Sequence, residues 1–138
     1  MPSIFTGKGT GQSHKRVGYP MRVLIVESDP GLGQIWCNHI RRLGADVGLL
    51  RSQSSAVEAL QEAVYDVLIL DLDLTLGSAM AVADYASYRR PDCKVIFVTS
   101  NSFFSDGTIF NYMANAAALI PLATKPEDMA ALVEHHGR

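Results

Sequence analysis

The chain has little charge of either sign to spare. Twelve lysines and arginines stand against fourteen aspartates and glutamates over 138 residues, a formal net charge of -2. So even a balance offers no basic field to a polyanion or an acidic lipid surface, and neither nucleic acid nor a membrane is expected as a partner. Cysteine is equally scarce. Cys37 and Cys93 fall in a helical pattern and a loop, without the spacing or histidine company of a zinc site, and read as free thiols of a reducing cytoplasm. No uninterrupted apolar run approaches a membrane span, and no apolar stretch resembles the core of a secretion signal. A soluble cytoplasmic protein is the expectation. Residues 1–20 lack any periodic apolar face and are rich in Gly, Ser, Thr, Lys and His. They are expected to form a flexible N-terminal extension to one domain at 21–138. Gly7-Lys8-Gly9-Thr10-Gly11 is glycine-rich like a phosphate loop, but no strand precedes it and its lysine is misplaced.

What the sequence does contain is alternation. From Met21 onward, short runs rich in Val, Ile and Leu alternate with segments whose apolar residues recur every three or four positions, as βα repetition requires. Val23 to Val26 reads as a first strand. A helix follows with Leu32, Ile35, Trp36, His39 or Ile40, and Leu43 on one face, Pro30 in its first turn and Gly44 at its end. Asp46 to Leu50 is a weaker strand, and Ser54 is a candidate cap for a helix carrying Val57, Leu60 and Val64. Val67 to Leu70 is apolar at successive positions, as a central parallel strand covered on both faces must be. A helix through Ala79 to Tyr88 stops near Pro91, before a strand from Val95 to Val98. Ile109, Phe110 and Met113 suggest a short helix, and Ala117 to Ile120 a fifth strand. Thr124 with Glu127 has the form of a capping box for a last helix bearing Met129, Leu132 and Val133. The expectation is a doubly wound α/β fold with five parallel strands, five helices and the flavodoxin-like order 2-1-3-4-5.

Such a sheet gathers its strand ends on one edge, where ligands bind at the point at which the chain reverses its direction of travel. Glu27, Ser28 and Asp29 follow the first strand, Asp71 and Asp73 the third, and Thr99 the fourth. Carboxylates meeting there repel one another unless a cation or proton intervenes, and hard oxygen ligands suit Mg²⁺. An aspartate beside Mg²⁺ can attack phosphorus, and a neighbouring hydroxyl, here Thr99, can donate to the transferring oxygens. Singly, Glu27, Ser28 or Asp29 reads as ordinary loop polarity. Asp71, ending a fully apolar strand, reads as functional.

Collectively, these residues resemble the receiver domain of bacterial two-component signalling over 21–136. Val23-Leu24-Ile25-Val26-Glu27-Ser28-Asp29-Pro30 is similar to its opening strand and acidic turn. Asp66-Val67-Leu68-Ile69-Leu70-Asp71 is similar to its phosphoacceptor strand, and Val98-Thr99-Ser100 to the strand end bearing its switch hydroxyl. The resemblance implies phosphorylation of Asp71, Mg²⁺ held by Glu27, Asp29, Asp71 and the backbone carbonyl of Asp73, and Thr99 as switch. It also implies a sensor histidine kinase or phosphotransfer protein as donor. With no DNA-binding or catalytic output module in the sequence, a stand-alone receiver would signal through contacts with a downstream protein or a second copy of itself.

The sequence departs from the family pattern in several places. Ser28 replaces an acid of the turn, which predicts weak Mg²⁺ binding. Thr75 stands where a proline is common, and Ala79 where a glycine is usual. For the lysine that pairs with the phosphoryl group, two placements compete. Aligning the fifth strand on Ala117 to Ile120 puts Ile120-Pro121 at the Lys-Pro position and leaves Lys125 in the next helix's first turn. Aligning Lys125-Pro126 directly keeps the charge but needs about four extra residues. The first is preferred, because Leu119-Ile120 has more strand character than Ala123-Thr124. The switch aromatic has no clear counterpart, with Ala117 or Leu122 as candidates. Phe103 and Phe104 are candidate partner-surface residues, although an apolar pair is more often core.

Two other readings stay open. Leu70-Asp71-Leu72-Asp73-Leu74-Thr75 is also similar to the first motif of haloacid-dehalogenase-type phosphatases, with Asp71 as nucleophile, Asp73 as acid/base and Lys125 pairing with phosphate. That motif normally follows the first strand of a longer domain. A pseudo-receiver, keeping the fold as a binding module without phosphorylation, is the third. His135-His136 reads as a frayed helix end, Trp36 as packing, and Arg41-Arg42 as a solvated helix end.

Overall fold

In a parallel sheet, central strands have both faces covered and edge strands do not, and burial here follows that rule. The computed structural model describes residues 20–100 and 113–138. Its strands β1 (Arg22–Val26) and β3 (Val67–Asp71) are buried at every position, and β4 (Lys94–Thr99) at all but its first. Strands β2 (Asp46–Leu50) and β5 (Ala116–Pro121) are largely half-buried. All pairings are parallel, in the order β2-β1-β3-β4-β5. This is the expected doubly wound, flavodoxin-like arrangement.

Alternation of side chains along each strand divides the core in two. One layer joins Leu24, Val26, Leu68, Leu70, Val95 and Phe97 to the inner faces of α2 (Gln53–Glu62) and α3 (Ala79–Arg89). The other joins Val23, Ile25, Val67, Ile69, Ile96 and Val98 to α1 (Pro30–Arg41) and α4 (Pro126–Gly137). Each fully buried aliphatic side chain contributes roughly 1.5–3 kcal/mol, and this double layer holds the strand ends in fixed relation.

Helix frames differ in detail from those read in the sequence. Ser52, not Ser54, caps α2. Its backbone is extended (φ -131°, ψ 159°) and its Oγ accepts from Ser55 N. The buried positions on and just after that helix are Ala56, Leu60 and Ala63, whereas Val64 lies past its end and is exposed. Alanines let α2 approach α3, which itself presents Ala79, Ala83 and Ala86. In α1 the buried stripe is Gly33, Trp36, Cys37 and Ile40, leaving Ile35 outside. Gly44, at φ +86°, follows its last turn and donates to Arg41 O, so the helix stops there as expected. The expected capping box at α4 does not form. Lys125 is the N-cap without a side-chain bond, Pro126 begins the helix, and Thr124 Oγ1 instead donates to Pro121 O.

Four helices occur among the described residues. The expected short helix through Ile109 and Phe110 lies outside them, with only Met113 described, buried against the α2–α3 layer. The expected N-terminal extension up to residue 19 and the aromatic pair Phe103 and Phe104 also lie outside them. No described helix is long and apolar enough to cross a membrane.

Candidate phosphoacceptor site

The chain reverses its direction of travel between β1 and β3, and the carboxyl-bearing ends of those two strands lie side by side. Val26 pairs with Leu70 in the register, so Glu27 and Asp71 emerge together. Both are buried, at 2% and 4% exposure. Asp71 Oδ1 accepts from Asp73 N at 2.8 Å, and Glu27 Oε2 accepts from Asp29 N at 3.0 Å. Glu27 Oε1 is buried and has no donor. Burial is the main cause that pushes the Glu27 pKa up to about 8. The Asp29 backbone N–H opposes the rise, and hydrogen bonding to Asp71 with the charges of Asp71 and Asp29 adds to it. Without a cation, burial beside Asp71 therefore favours the protonated form of the Glu27 carboxyl.

The other acids of the expected metal set are placed differently. Asp29 is exposed and caps α1, its Oδ1 accepting from Gly31 N and Leu32 N. Asp73 Oδ2 accepts from both the N–H and the hydroxyl of Ser100, each at 2.9 Å. Among the described residues no three His, Cys, Asp or Glu side chains gather as a metal cluster. Glu27 and Asp71 alone converge. A buried carboxylate pair with an orphaned oxygen fits a hard cation that takes one or two carboxylates and keeps several waters, as Mg²⁺ does.

Beside this pair, β4 supplies the hydroxyl. Asp71 pairs with Val98 in the register, so Thr99 stands one residue beyond, buried at the same sheet edge. On its other side Thr99 is paired with Pro121, and Ile120 with Val98. The fifth strand thus runs through Ala117 to Ile120, with Ile120-Pro121 at its end. Lys125 lies four residues later, exposed at the α4 N-cap.

Several supporting contacts were not legible in the sequence. Ser28 Oγ accepts from Thr75 N at 2.8 Å, and Arg51 Nε donates to Ser28 O at 3.0 Å. Gln53 N donates to Leu76 O, while Gln53 Oε1 accepts from Ser78 N. These partners are separated by about two dozen residues or more, and Ser28 and Thr75 were singled out in the sequence only as separate departures from the receiver pattern.

A parallel doubly wound sheet with a buried acidic pair at its switch point defines the class of protein. Within that class, the response regulator receiver domain matches residues 23–136, and the chain belongs to this family of two-component signalling modules. The luminescence regulatory protein LuxO of Vibrio campbellii is 26% identical over 77 residues, 56% of this chain and 17% of the relative. The matched stretch is thus a small part of the curated relative's length. A CheY-like receiver domain of Methanospirillum hungatei superposes with a TM-score of 0.77 at 19% identity, covering 85% of this chain and 93% of that one. The response regulator TrrA of Thermotoga maritima, in complex with Mg²⁺-BeF, gives 0.72 at 18% identity, covering 83% and 97%. These likenesses show the fold.

Proposed function

We propose that the chain works as a phosphorelay receiver, taking a phosphoryl group onto Asp71 and signalling through protein contacts. The observation that carries this reading is the buried Glu27–Asp71 pair at the ends of adjacent parallel strands, with Thr99 beside it. Glu27 and Asp71, with the Asp73 backbone carbonyl, would hold Mg²⁺. Bound there, the ion would neutralise charge on the transferring group. An Asp71 oxygen attacks phosphorus, the new O–P bond forms as the donor's P–N or P–O bond breaks, and the leaving group departs with the electron pair and takes up a proton. Thr99 donates its hydroxyl proton as a hydrogen bond to a phosphoryl oxygen, and moving to do so biases the segment that begins at Ser100. A sensor histidine kinase or phosphotransfer protein is the proposed donor, and a downstream protein the proposed target.

Two features favour a second reading, a pseudo-receiver that binds partners without phosphorylation. Ser28 brings no charge to the turn, and Ile120 brings none to the end of β5. Incubation with Mg²⁺ and acetyl phosphate followed by intact mass decides between them. One added phosphoryl group, absent from Asp71→Asn, supports the relay. No mass increase at any Mg²⁺ concentration leaves the binding module.

A further inference from the structure

Ser28 and Thr75, read in the sequence as two separate departures from the receiver pattern, meet in space. Thr75 N donates to Ser28 Oγ at 2.8 Å across 47 residues of sequence. A proline at 75 would have no N–H to give. The bond fastens the loop after β3 to the loop after β1, one end of a short span that carries Asp73. The span is held elsewhere by Asp73 N on Asp71 Oδ1 and by Ser100 on Asp73 Oδ2. Beyond Thr75 the loop is pinned again, through Gln53 N to Leu76 O and Ser78 N to Gln53 Oε1. Between those bonds Gly77 has φ +112°, and any Cβ there would collide with Gln53 Cβ, so the chain has one close path past α2. Arg51 Nε, donating to Ser28 O, secures the serine itself.

We propose that Ser28 is a positioning residue of the phosphoacceptor site, holding the Asp73 backbone in place through Thr75 rather than standing as the remnant of a lost metal ligand. This rests on the phosphorelay reading for its metal but not for its geometry. A ligand carbonyl is useful to a small octahedral cation only when fixed, and losing an outer support typically weakens metal affinity by ten- to a hundredfold. The strap is neutral and exposed, so the lower end applies, about tenfold for Ser28→Ala.

The test uses the full chain and Mg²⁺ alone as probe, with calorimetric titration, urea unfolding and amide exchange of Asp73 and Thr75. Ser28→Ala should weaken Mg²⁺ about tenfold and speed exchange at both amides while leaving the unfolding midpoint nearly unchanged. Ser28→Thr, which restores the acceptor, should recover both properties. In a Thr75→Pro background, Ser28→Ala should add nothing further. Unchanged Mg²⁺ affinity in Ser28→Ala, or failure of Ser28→Thr to restore it, would overturn the proposal. If the wild type binds no Mg²⁺, the functional reading falls. Exchange at Asp73 and Thr75 then still decides whether Ser28 holds the loop, and unaltered exchange in Ser28→Ala overturns that too.

Discussion

Replacing Glu27 by Gln separates the cost of its buried charge from its use to a cation. The carboxyl is displaced from 4.5 to about 8 mainly by burial. Below pH 4.5 it is protonated folded or unfolded and adds no pH dependence. Between 4.5 and about 8 the unfolded chain releases a proton that the fold retains, so stability falls as pH rises. Above about 8 both states are ionised and the full penalty stands. At about 1.4 kcal/mol per pKa unit the upper bound is roughly 5 kcal/mol. The neighbouring loop acids Asp29 and Asp73 are exposed, so water and counterions at the mouth reduce this to about 2 kcal/mol. Gln is the neutral isostere, of nearly the same shape as the protonated acid. Urea unfolding in EDTA should therefore show the two proteins alike at pH 5, with Glu27→Gln more stable by about 2 kcal/mol at pH 9. The raised Tyr65 and Cys93 groups are common to both and cancel. Mg²⁺ should reverse the order at pH 9, since an ion that binds only the folded state stabilises it in proportion to its affinity. Parallel pH profiles of the two proteins in EDTA would refute the assignment of a proton to Glu27.

Three further outcomes are expected. Thr99→Ala should still be phosphorylated on Asp71, about a hundredfold more slowly for want of one oxygen-directed donor, and should lose the change in amide exchange at Ser100 and Met113 that phosphorylation brings; an intact change would remove Thr99 as the switch. Ile120→Lys should place a cation at the end of β5 beside Thr99 and prolong the phosphorylated state, read as the decay of the added mass, and an unaltered lifetime would show that the strand end does not face the phosphoryl group. Phe97→Ala, in a fully buried position between Leu70 and Leu119, should cost roughly 3–5 kcal/mol in urea unfolding, and a loss under 1 kcal/mol would contradict the packing of the α2–α3 layer.

Much of the architecture was written in local pattern. Uninterrupted apolar runs at Val67 to Leu70 and Val95 to Val98 can be buried only between two helical layers, and that alone selects a doubly wound parallel sheet. Strand ends marked by Glu27, Asp71 and Thr99 were legible for the same reason, because a polar residue directly after such a run must sit at the sheet's edge. The competing placements of the fifth strand were decided by the ladder, which seats Ile120 against Val98. Helix frames were less legible. Ser52 and Ser54 are equally good capping residues in isolation, and the choice between them rests on backbone angles set by the approach of α2 to the core.

The acidic site shows the same division. Its candidate acids could be listed from sequence, but which of their oxygens are committed elsewhere could not. Asp29 turns to the α1 amides and Asp73 to Ser100, so that among the described residues Glu27 and Asp71 are the acids left side by side. Nor could the pairing of Ser28 with Thr75 be read, since neither residue carries a periodic or charge signal that names the other. Hydrophobic period acts between near neighbours in the chain and so determines layers and strand order. Hydrogen bonds between loops depend on angstrom-scale distances that exist only once those layers have packed, and it is the packing that decided what each polar side chain of this site is left able to bind.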